Sequence, residues 1–193
     1  MFYYIVRFLA GVYVRIIFRI KVTGEIPKSG ALLVCANHTS LFDPVVMACC
    51  GCVSRRLSFV AKKELFNIFL LGPALRAVGA FPVDRDKSGI GAIKASVKVL
   101  GNGGAVLMFP EGTRNKTAER MAAKSGIVMI AQKARACVVP VGINAAYKLF
   151  STVRVNIGEP IDYEEYYGVK LTSEQMNVMA EDIMTKIFEL AEE

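Results

Sequence analysis

Two short runs of apolar residues constrain the fold of this chain more than any other feature of its sequence. Residues 31–36 read Ala-Leu-Leu-Val-Cys-Ala and residues 105–109 read Ala-Val-Leu-Met-Phe, with no charged side chain in either run. Strands that lack polar–apolar alternation are buried on both faces, which is typical of parallel sheets covered by helices. The two runs therefore predict an α/β fold in which both segments lie inside the sheet.

Strand-like and helix-like segments alternate along the rest of the chain. Short apolar runs favour strands at 21–24, 57–61, 79–83, 138–143 and 153–157. Helical spacing favours helices from Asp43 onward, over 65–78 with a break at Gly72-Pro73, over 87–100, over 118–136, and after the capping-box pair Thr172 and Gln175. The chain has 193 residues, 53% of them hydrophobic, which is enough for one core. We expect residues 21–193 to form a single α/β domain with a central mixed or mostly parallel sheet flanked by helices.

Residues 1–20 are expected to form a separate N-terminal helix. The segment is apolar apart from Arg7, Arg15 and Arg19, which share one side of a helix. Its longest uncharged interior run, residues 8–14, is far shorter than the ~20 residues that a membrane span requires. These features predict a membrane-interfacial amphipathic helix whose arginines point toward lipid headgroups. An ordinary helix packed on the core is the alternative.

The net charge of +7 is unevenly distributed along the chain. Residues 1–158 carry 22 basic and 7 acidic side chains, whereas residues 159–193 carry 2 and 10. A basic body favours an anionic partner, such as an anionic phospholipid membrane surface, a phosphorylated substrate or an acidic carrier protein. Nucleic acid is the rival partner, but the sequence has no recognition helix, aromatic RNA-binding signature or zinc finger, so we expect no nucleic-acid binding.

Five cysteines fall in apolar stretches and lack the paired spacing of disulfides, which indicates a reducing cytoplasm. They are Cys35, Cys49, Cys50, Cys52 and Cys137. The cluster at 49–52 could be a metal site or a lipidation site. Because the chain has only one histidine, small packing residues in a helix are the preferred interpretation, and no metal is expected.

The single histidine, His38, lies in the segment Asn-His-Thr-Ser-Leu-Phe-Asp (37–43). Imidazole is the side chain best suited to take a proton from an alcohol at neutral pH. Asp43 is near enough in sequence to hold that imidazole in one tautomer and to stabilise its protonated form. No serine or cysteine is clearly placed as a nucleophile, and Cys35 is expected to point into apolar packing. The pair therefore predicts activation of a substrate hydroxyl with direct transfer, against the alternative of a structural histidine.

Three further blocks follow this His-x-x-x-x-Asp segment. They read Gly-Ala-Phe-Pro-Val-Asp-Arg (79–85), Phe-Pro-Glu-Gly-Thr-Arg (109–114) and Val-Val-Pro-Val-Gly (138–142), and Ala-Lys-Lys-Glu-Leu (61–65) lies between the first two. Together these segments resemble the motifs of the glycerolipid acyltransferases, in particular the 1-acyl-sn-glycerol-3-phosphate acyltransferases. The resemblance covers most of the chain.

The resemblance implies that His38 and Asp43 are catalytic and that six further residues bind the substrate: Lys62, Arg85, Glu111, Gly112, Thr113 and Arg114. Physically, a guanidinium suits a phosphate and a carboxylate suits free hydroxyls. The alternative for Glu111 and Arg114 is an ion pair that closes their loop. The family pattern favours Lys62 over Lys63, and Lys124 with Gly126 resembles a further family feature.

The implied activity is transfer of a fatty acyl group to the sn-2 hydroxyl of 1-acylglycerol 3-phosphate (lysophosphatidic acid), which forms phosphatidic acid without an acyl-enzyme. Acyl-CoA or acyl carrier protein would be the co-substrate, with no bound cofactor, and the expected location is the cytoplasmic face of the cell membrane as a peripheral or monotopic protein. Another lysophospholipid or glycerol 3-phosphate could be the acceptor instead. A non-catalytic phospholipid-binding protein is the alternative from a different class.

Overall fold

One seven-stranded sheet forms the centre of the fold in the residues that the structure, a computed structural model, describes: 2–83, 89–115, 117 and 120–193. The strands lie in the order β1-β7-β6-β2-β5-β3-β4. Their bounds are β1 (Arg19–Thr23), β2 (Leu32–Ala36), β3 (Leu57–Lys62), β4 (Ala80–Val83), β5 (Ala105–Met108), β6 (Cys137–Ala145) and β7 (Thr152–Ile157).

The sheet is mixed but mostly parallel. Strand β2 pairs in parallel with β5 on one side and β6 on the other, and β3 pairs in parallel with β5 and β4. Among the seven strands that the structure describes, only β6 and β7 pair antiparallel, and β1 runs parallel to β7. Both apolar runs form central strands, because β2 is buried at every residue and β5 lies beside it. The predicted sheet type is confirmed.

Helices cover both faces of the sheet in the described part of the chain. They are α1 (Phe2–Ile17), α2 (Asp43–Val46), which continues as a π-helical turn (Met47–Gly51), α3 (Leu71–Ala77), α4 (Ile90–Gly101), α5 (Gly126–Ala134) and α6 (Ser173–Glu192). One apolar core lies between the sheet and the first three helices, and the other between the sheet and the last three. The fold is thus a three-layer α/β domain, as predicted.

Parallel pairing determines where the candidate residues lie. Strands β2, β5, β3 and β4 all run in one direction, so their carboxyl ends meet at one edge of the sheet. Ligands of open α/β sheets bind at such an edge. The segments after β2 and β5 and the last residue of β3 therefore come together there, which is where His38, Glu111 and Lys62 lie in sequence.

Several predicted helices differ in their bounds. The N-terminal helix ends at Ile17 rather than at residue 20, and Arg19 and Ile20 belong to β1 instead. Helix α5 begins at Gly126 rather than at 118. The Lys124 N–H donates to the Pro110 carbonyl (2.9 Å), and this hydrogen bond holds the segment before the helix against the loop that follows β5. The segment 65–78 breaks before Leu71 rather than at Gly72-Pro73, because proline is tolerated in the first turn of a helix, where its missing N–H costs nothing. The capping box of α6 is confirmed: Thr172 and Gln175 exchange hydrogen bonds between side chain and backbone.

Helix α1 packs on the core and also exposes a wide apolar face. Tyr3, Val14 and Phe18 are buried. The outer face consists of Tyr4, Ile5, Phe8, Leu9, Val12, Tyr13 and Ile16, all exposed. The expectation that the arginines all point toward headgroups is wrong for Arg7, because its guanidinium donates to the carbonyls of Val53 (3.0 Å) and Arg55 (3.1 Å). No helix among the described residues combines the length and the apolar character needed to cross a membrane.

Four of the five cysteines are buried, and all five are free thiols. Burial raises the pKa of Cys49 to about 11 and also raises those of Cys50 and Cys52. The cluster packs between α1, the sheet and the π-helical turn, so its interpretation as packing residues is confirmed.

Candidate active site

His38 and Asp43 form a hydrogen-bonded pair beyond the carboxyl end of β2. The Nδ1 atom of His38 lies 2.8 Å from Oδ2 of Asp43, the first residue of α2. Asp43 is completely buried, whereas 13% of the His38 side chain is exposed. Because the carboxylate accepts, Nδ1 carries the proton and Nε2 is left with a lone pair. The pair has the geometry of a general base with its orienting acid.

Three other groups also donate to Asp43. Its Oδ2 accepts the backbone N–H groups of Thr39 and Ser40, each at 2.7 Å, and its Oδ1 accepts the hydroxyl of Tyr147 at 2.5 Å. A buried carboxylate is stable only when such donors replace its lost hydration. Together with His38, these donors fix the orientation of the Asp43 carboxylate, with Oδ2 facing the imidazole.

Neighbouring segments hold His38 from three sides. The Asn37 side chain exchanges two hydrogen bonds with the Ile143 backbone (2.7 and 2.8 Å) and so continues the pairing of β2 with β6 past its end. The Phe109 ring stacks on the imidazole at 3.9 Å with an interplanar angle of 14°. The backbone N–H of Asn115 donates to the His38 carbonyl at 2.7 Å. The loop that carries His38 (residues 37–42, the histidine loop) is thus joined to the Glu-Gly-Thr-Arg loop (111–114).

Glu111 is buried beside this pair rather than bonded to Arg114. Only 2% of Glu111 is exposed, neither of its carboxyl oxygens has a hydrogen-bond partner among the described residues, and no ion pair joins it to the exposed Arg114. Burial raises the pKa of Glu111 to about 7, and the charge of Asp43 adds to this rise while the nearby backbone N–H of His38 opposes it. The alternative of a Glu111–Arg114 ion pair is therefore wrong.

Gly112 lies where no other residue fits well. Its φ of +72° is in the left-handed region that favours glycine. A Cβ placed on it would also meet the Lys124 side chain, at 2.5 Å from Nζ and 2.6 Å from Cε. The ammonium of Lys124 therefore lies directly over the loop that follows β5.

A cavity of about 520 Å³ opens beside His38, between β5, α4 and α5. Its walls combine polar groups with apolar side chains. The lining includes His38, Gly112 and Lys124 together with Ile93, Leu107, Met108, Ile127 and Ile130. Such a cavity can take an apolar chain while its reactive end stays at the imidazole.

The other predicted binding residues lie at different distances from this centre. Thr113 and Arg114 are exposed on the same loop as Gly112. Lys62 ends β3, where its ammonium forms an exposed ion pair with Glu64 (3.6 Å), and it does not line the cavity. Arg85 lies outside the described residues. The described structure thus brings His38 and Asp43 together with the 111–114 loop. Lys62 lies at the same sheet edge but is paired with Glu64.

Cys35 has no access to this site. It is completely buried on the opposite side of β2 from the α1 core, and burial raises the pKa of its thiol to about 12. A thiol of this kind is not nucleophilic at neutral pH. The sequence-based prediction that Cys35 is a packing residue is confirmed.

Sequence reasoning missed Asn37 and Tyr147. Asn37 immediately precedes the histidine, and an amide next to a candidate catalytic residue at a strand end is a usable signal, because such side chains often bond to backbone groups. Tyr147 lies 104 residues from Asp43 in the chain, inside a loop without a motif. Only the fold brings it to the site.

Comparisons with known proteins identify related chains. Residues 19–144 match the protein-family model described as Acyltransferase. The 1-acyl-sn-glycerol-3-phosphate acyltransferase of Bacillus subtilis (strain 168) is 32% identical over 171 residues, which cover 86% of this chain and 84% of that protein. The protein of the same name from Streptococcus pneumoniae is 34% identical over 178 residues, covering 89% of this chain and 65% of its own.

A solved structure shares the fold. It is the 1-acyl-sn-glycerophosphate (LPA) acyltransferase of Thermotoga maritima, which matches with a TM-score of 0.74 at 23% sequence identity. The match covers 97% of this chain and 79% of that one.

Proposed function

The chain belongs to the Acyltransferase family, and from that premise we propose that it transfers a fatty acyl group from a thioester to the sn-2 hydroxyl of 1-acylglycerol 3-phosphate, forming phosphatidic acid. The names of its relatives support the activity of a 1-acylglycerol-3-phosphate O-acyltransferase. The observation that carries the proposal is the His38–Asp43 hydrogen bond of 2.8 Å beside the cavity.

In the proposed reaction, Nε2 of His38 takes the proton of the acceptor hydroxyl as its oxygen attacks the thioester carbonyl carbon. Asp43 stabilises the imidazolium that results. When the tetrahedral intermediate collapses, the carbon–sulfur bond breaks and the imidazolium returns the proton to the leaving thiolate. The new ester and the free thiol leave, and His38 is again neutral. No acyl-enzyme is needed, and the buried Cys35 supplies no alternative nucleophile.

The acceptor phosphate would bind at the 111–114 loop. Arg114 is exposed there and the Lys124 ammonium lies over Gly112, so two cations flank one exposed stretch of backbone. Thr113 adds a hydroxyl to the same surface. By family resemblance, Arg85 and Lys62 are further phosphate contacts, for which Lys62 would exchange its exposed partner Glu64 for the substrate. The buried oxygens of Glu111 have no partner in the described residues. They would accept a hydrogen bond from a glycerol hydroxyl only after the loop shifts.

The donor's acyl chain would occupy the apolar part of the cavity, with its thioester carbon at His38. Either acyl-CoA or acyl carrier protein suits a basic surface, because the first carries phosphates and the second is acidic. We propose these as co-substrates, with no bound cofactor.

The exposed face of α1 would rest on the cytoplasmic face of the cell membrane, where the acceptor lipid lies. A helix with a continuous exposed apolar face next to basic side chains binds at the interface without crossing. Two neighbouring segments extend this face. The exposed Phe150 donates its backbone N–H to the Ile17 carbonyl at the end of α1 (2.7 Å), and the exposed Phe69 and Leu70 precede α3, which packs against α1. The proposed attachment is peripheral and includes anionic lipids.

Thiol release from palmitoyl-CoA tests the function directly. It is measured with and without 1-acylglycerol 3-phosphate for the wild type and for His38→Ala, and repeated with an acyl carrier protein donor. We expect release that requires the acceptor and falls by at least about 10³-fold in the variant. Glycerol 3-phosphate and 1-acylglycerophosphocholine serve as matched acceptors that test the headgroup.

Each other outcome contradicts a defined part of the proposal. Release without acceptor would identify a thioesterase. Faster transfer to another acceptor would change the substrate. Phosphatidic acid binding that survives His38→Ala, with no thiol released from either donor, would identify a non-catalytic phospholipid-binding protein.

A further inference from the structure

Tyr147 contacts the catalytic pair from the side opposite His38. Its hydroxyl donates to Oδ1 of Asp43 at 2.5 Å, while Oδ2 accepts from His38 and from two backbone N–H groups. Asp43 is completely buried, so no solvent would replace a lost donor. The hydroxyl therefore satisfies the oxygen that the histidine loop leaves free.

The protein holds Tyr147 in this place against a local cost. Its φ of 48° lies in the left-handed region, which is unfavourable for a bulky side chain by about 1 kcal/mol or more. Two aromatic rings fix it: Phe42 stacks at 5.7 Å with an interplanar angle of 24°, and Phe18 packs edge-on at 5.4 Å and 78°. Strain that is maintained by the surrounding structure is typical of functional positions.

The hydroxyl keeps its proton and can only donate to Asp43. Burial raises the pKa of Tyr147, and the neighbouring charge of Asp43 raises it further, so the phenol does not ionise in the working range. A donor on Oδ1 fixes the rotation of the carboxylate and withdraws part of its negative charge from the imidazole.

We propose that Tyr147 is a positioning residue for acyl transfer, one that orients Asp43 and so keeps the lone pair of His38 Nε2 directed at the substrate hydroxyl. It touches neither substrate in this role. The inference rests on the proposed function, because it assigns Tyr147 to the His38–Asp43 mechanism.

The test uses Tyr147→Phe, which removes the hydroxyl and keeps the ring. Tyr167→Phe is the matched control, since its hydroxyl donates to the exposed Asp162 carboxylate at 3.0 Å and neither residue lines the cavity. We expect kcat to fall at least about tenfold in Tyr147→Phe, with KM for both substrates within about twofold of wild type. Tyr167→Phe should match the wild type in both parameters.

A second readout does not depend on turnover. The chain has one histidine, so nitrogen NMR of histidine-labelled protein reports His38 alone. Without the Tyr147 donor, the Asp43 carboxylate is free to rotate and its bond to Nδ1 weakens, so the two ring-nitrogen resonances, which are well separated while the proton stays on Nδ1, should move toward each other. Tyr167→Phe should leave both resonances in place.

The inference is overturned if kcat stays within about twofold of wild type, or if the two ring-nitrogen resonances do not move. If the wild type transfers no acyl group, the proposed function has failed, and the ring-nitrogen resonances alone decide whether Tyr147 acts on the pair. If Tyr147→Phe does not fold, the wild type is measured instead. We expect its Tyr147 hydroxyl proton to be protected from exchange, and we expect this signal to disappear in Asp43→Asn. A wild type without a protected hydroxyl proton overturns the inference.

Discussion

The side chain of Lys124 lies directly over Gly112, so that a single added carbon at Gly112 would come within 2.6 Å of the lysine Cε. The contact joins the chain before α5 to the loop after β5, and it places an ammonium where the acceptor phosphate is proposed to bind. A glycine is needed there both for its backbone angle and for the space that the lysine occupies.

Gly112→Ala is therefore expected to weaken acceptor binding. The added methyl displaces the Lys124 ammonium, and KM for 1-acylglycerol 3-phosphate should rise about tenfold with a smaller effect on the thioester. Steady-state kinetics measure both constants. Lys124→Met should raise the same KM without straining the backbone.

Gly103→Ala is the control for backbone strain. Gly103 has the same φ of +72°, but an added Cβ would meet nothing within 4 Å. Both alanine variants should lose about 1 kcal/mol of stability, because each forces an L-residue into the left-handed region. Equal KM values in the two variants would show that the Lys124 contact has no part in binding.

Asp43→Asn should abolish most turnover. An amide cannot accept every hydrogen bond that reaches Asp43, and its NH₂ group would oppose a donor, so the imidazole loses its tautomer and its stabilising charge. We expect kcat to fall about 10³-fold, as measured by thiol release at a temperature where the variant remains folded.

The matched control is Asp182→Asn. Asp182 forms an exposed ion pair with Lys186 at 3.3 Å on α6, and its loss should change kcat by less than about twofold. Retention of more than about one tenth of wild-type kcat in Asp43→Asn would refute the proposed role of the aspartate.

Glu111 should make the stability of the protein depend on pH. Well below pH 4.5, the ordinary pKa of a glutamate, the carboxyl is protonated in both the folded and the unfolded chain, and its burial carries little penalty. As the pH rises to about 7, the unfolded chain loses this proton while the folded chain keeps it, so the free energy of unfolding decreases. Above that pH the penalty is constant.

Glu111→Gln removes this titration. Urea denaturation measures the free energy of unfolding at pH 5 and at pH 8. The stability of the variant relative to wild type should be about 2 kcal/mol greater at pH 8 than at pH 5. Glu159→Gln, at an exposed position, should show no such gain. A constant difference between Glu111→Gln and wild type would mean that the Glu111 carboxyl has a partner that stabilises its charge.

Much of this arrangement could be predicted because it depends on neighbours in sequence. Two uniformly apolar runs indicated the central strands, and the five-residue spacing placed His38 and Asp43 on one turn between a strand end and a helix. Burial of Cys35 followed from its position within such a strand.

The parts that could not be predicted depend on contacts between distant segments. Tyr147 reaches Asp43 only because β6 lies beside β2, and the start of α5 is set by a hydrogen bond to Pro110 rather than by helix propensity. The exposed face of α1 could not be predicted either, because the sequence of a helix that is apolar on nearly every side does not indicate which side packs on the core.

The apolar face of α1 should control binding to lipid vesicles. Phe8 is 69% exposed on that face. Phe8→Asp should weaken binding to vesicles that contain phosphatidylglycerol at least about tenfold, because a ring that would insert among the lipids is replaced by a charge. Val178→Asp is the control, since Val178 is 65% exposed on α6, across the sheet from α1. Cosedimentation measures both affinities, and kcat on detergent-dispersed substrate should be unchanged in both variants. If Phe8→Asp and Val178→Asp bind vesicles equally, the outer face of α1 is not the membrane surface.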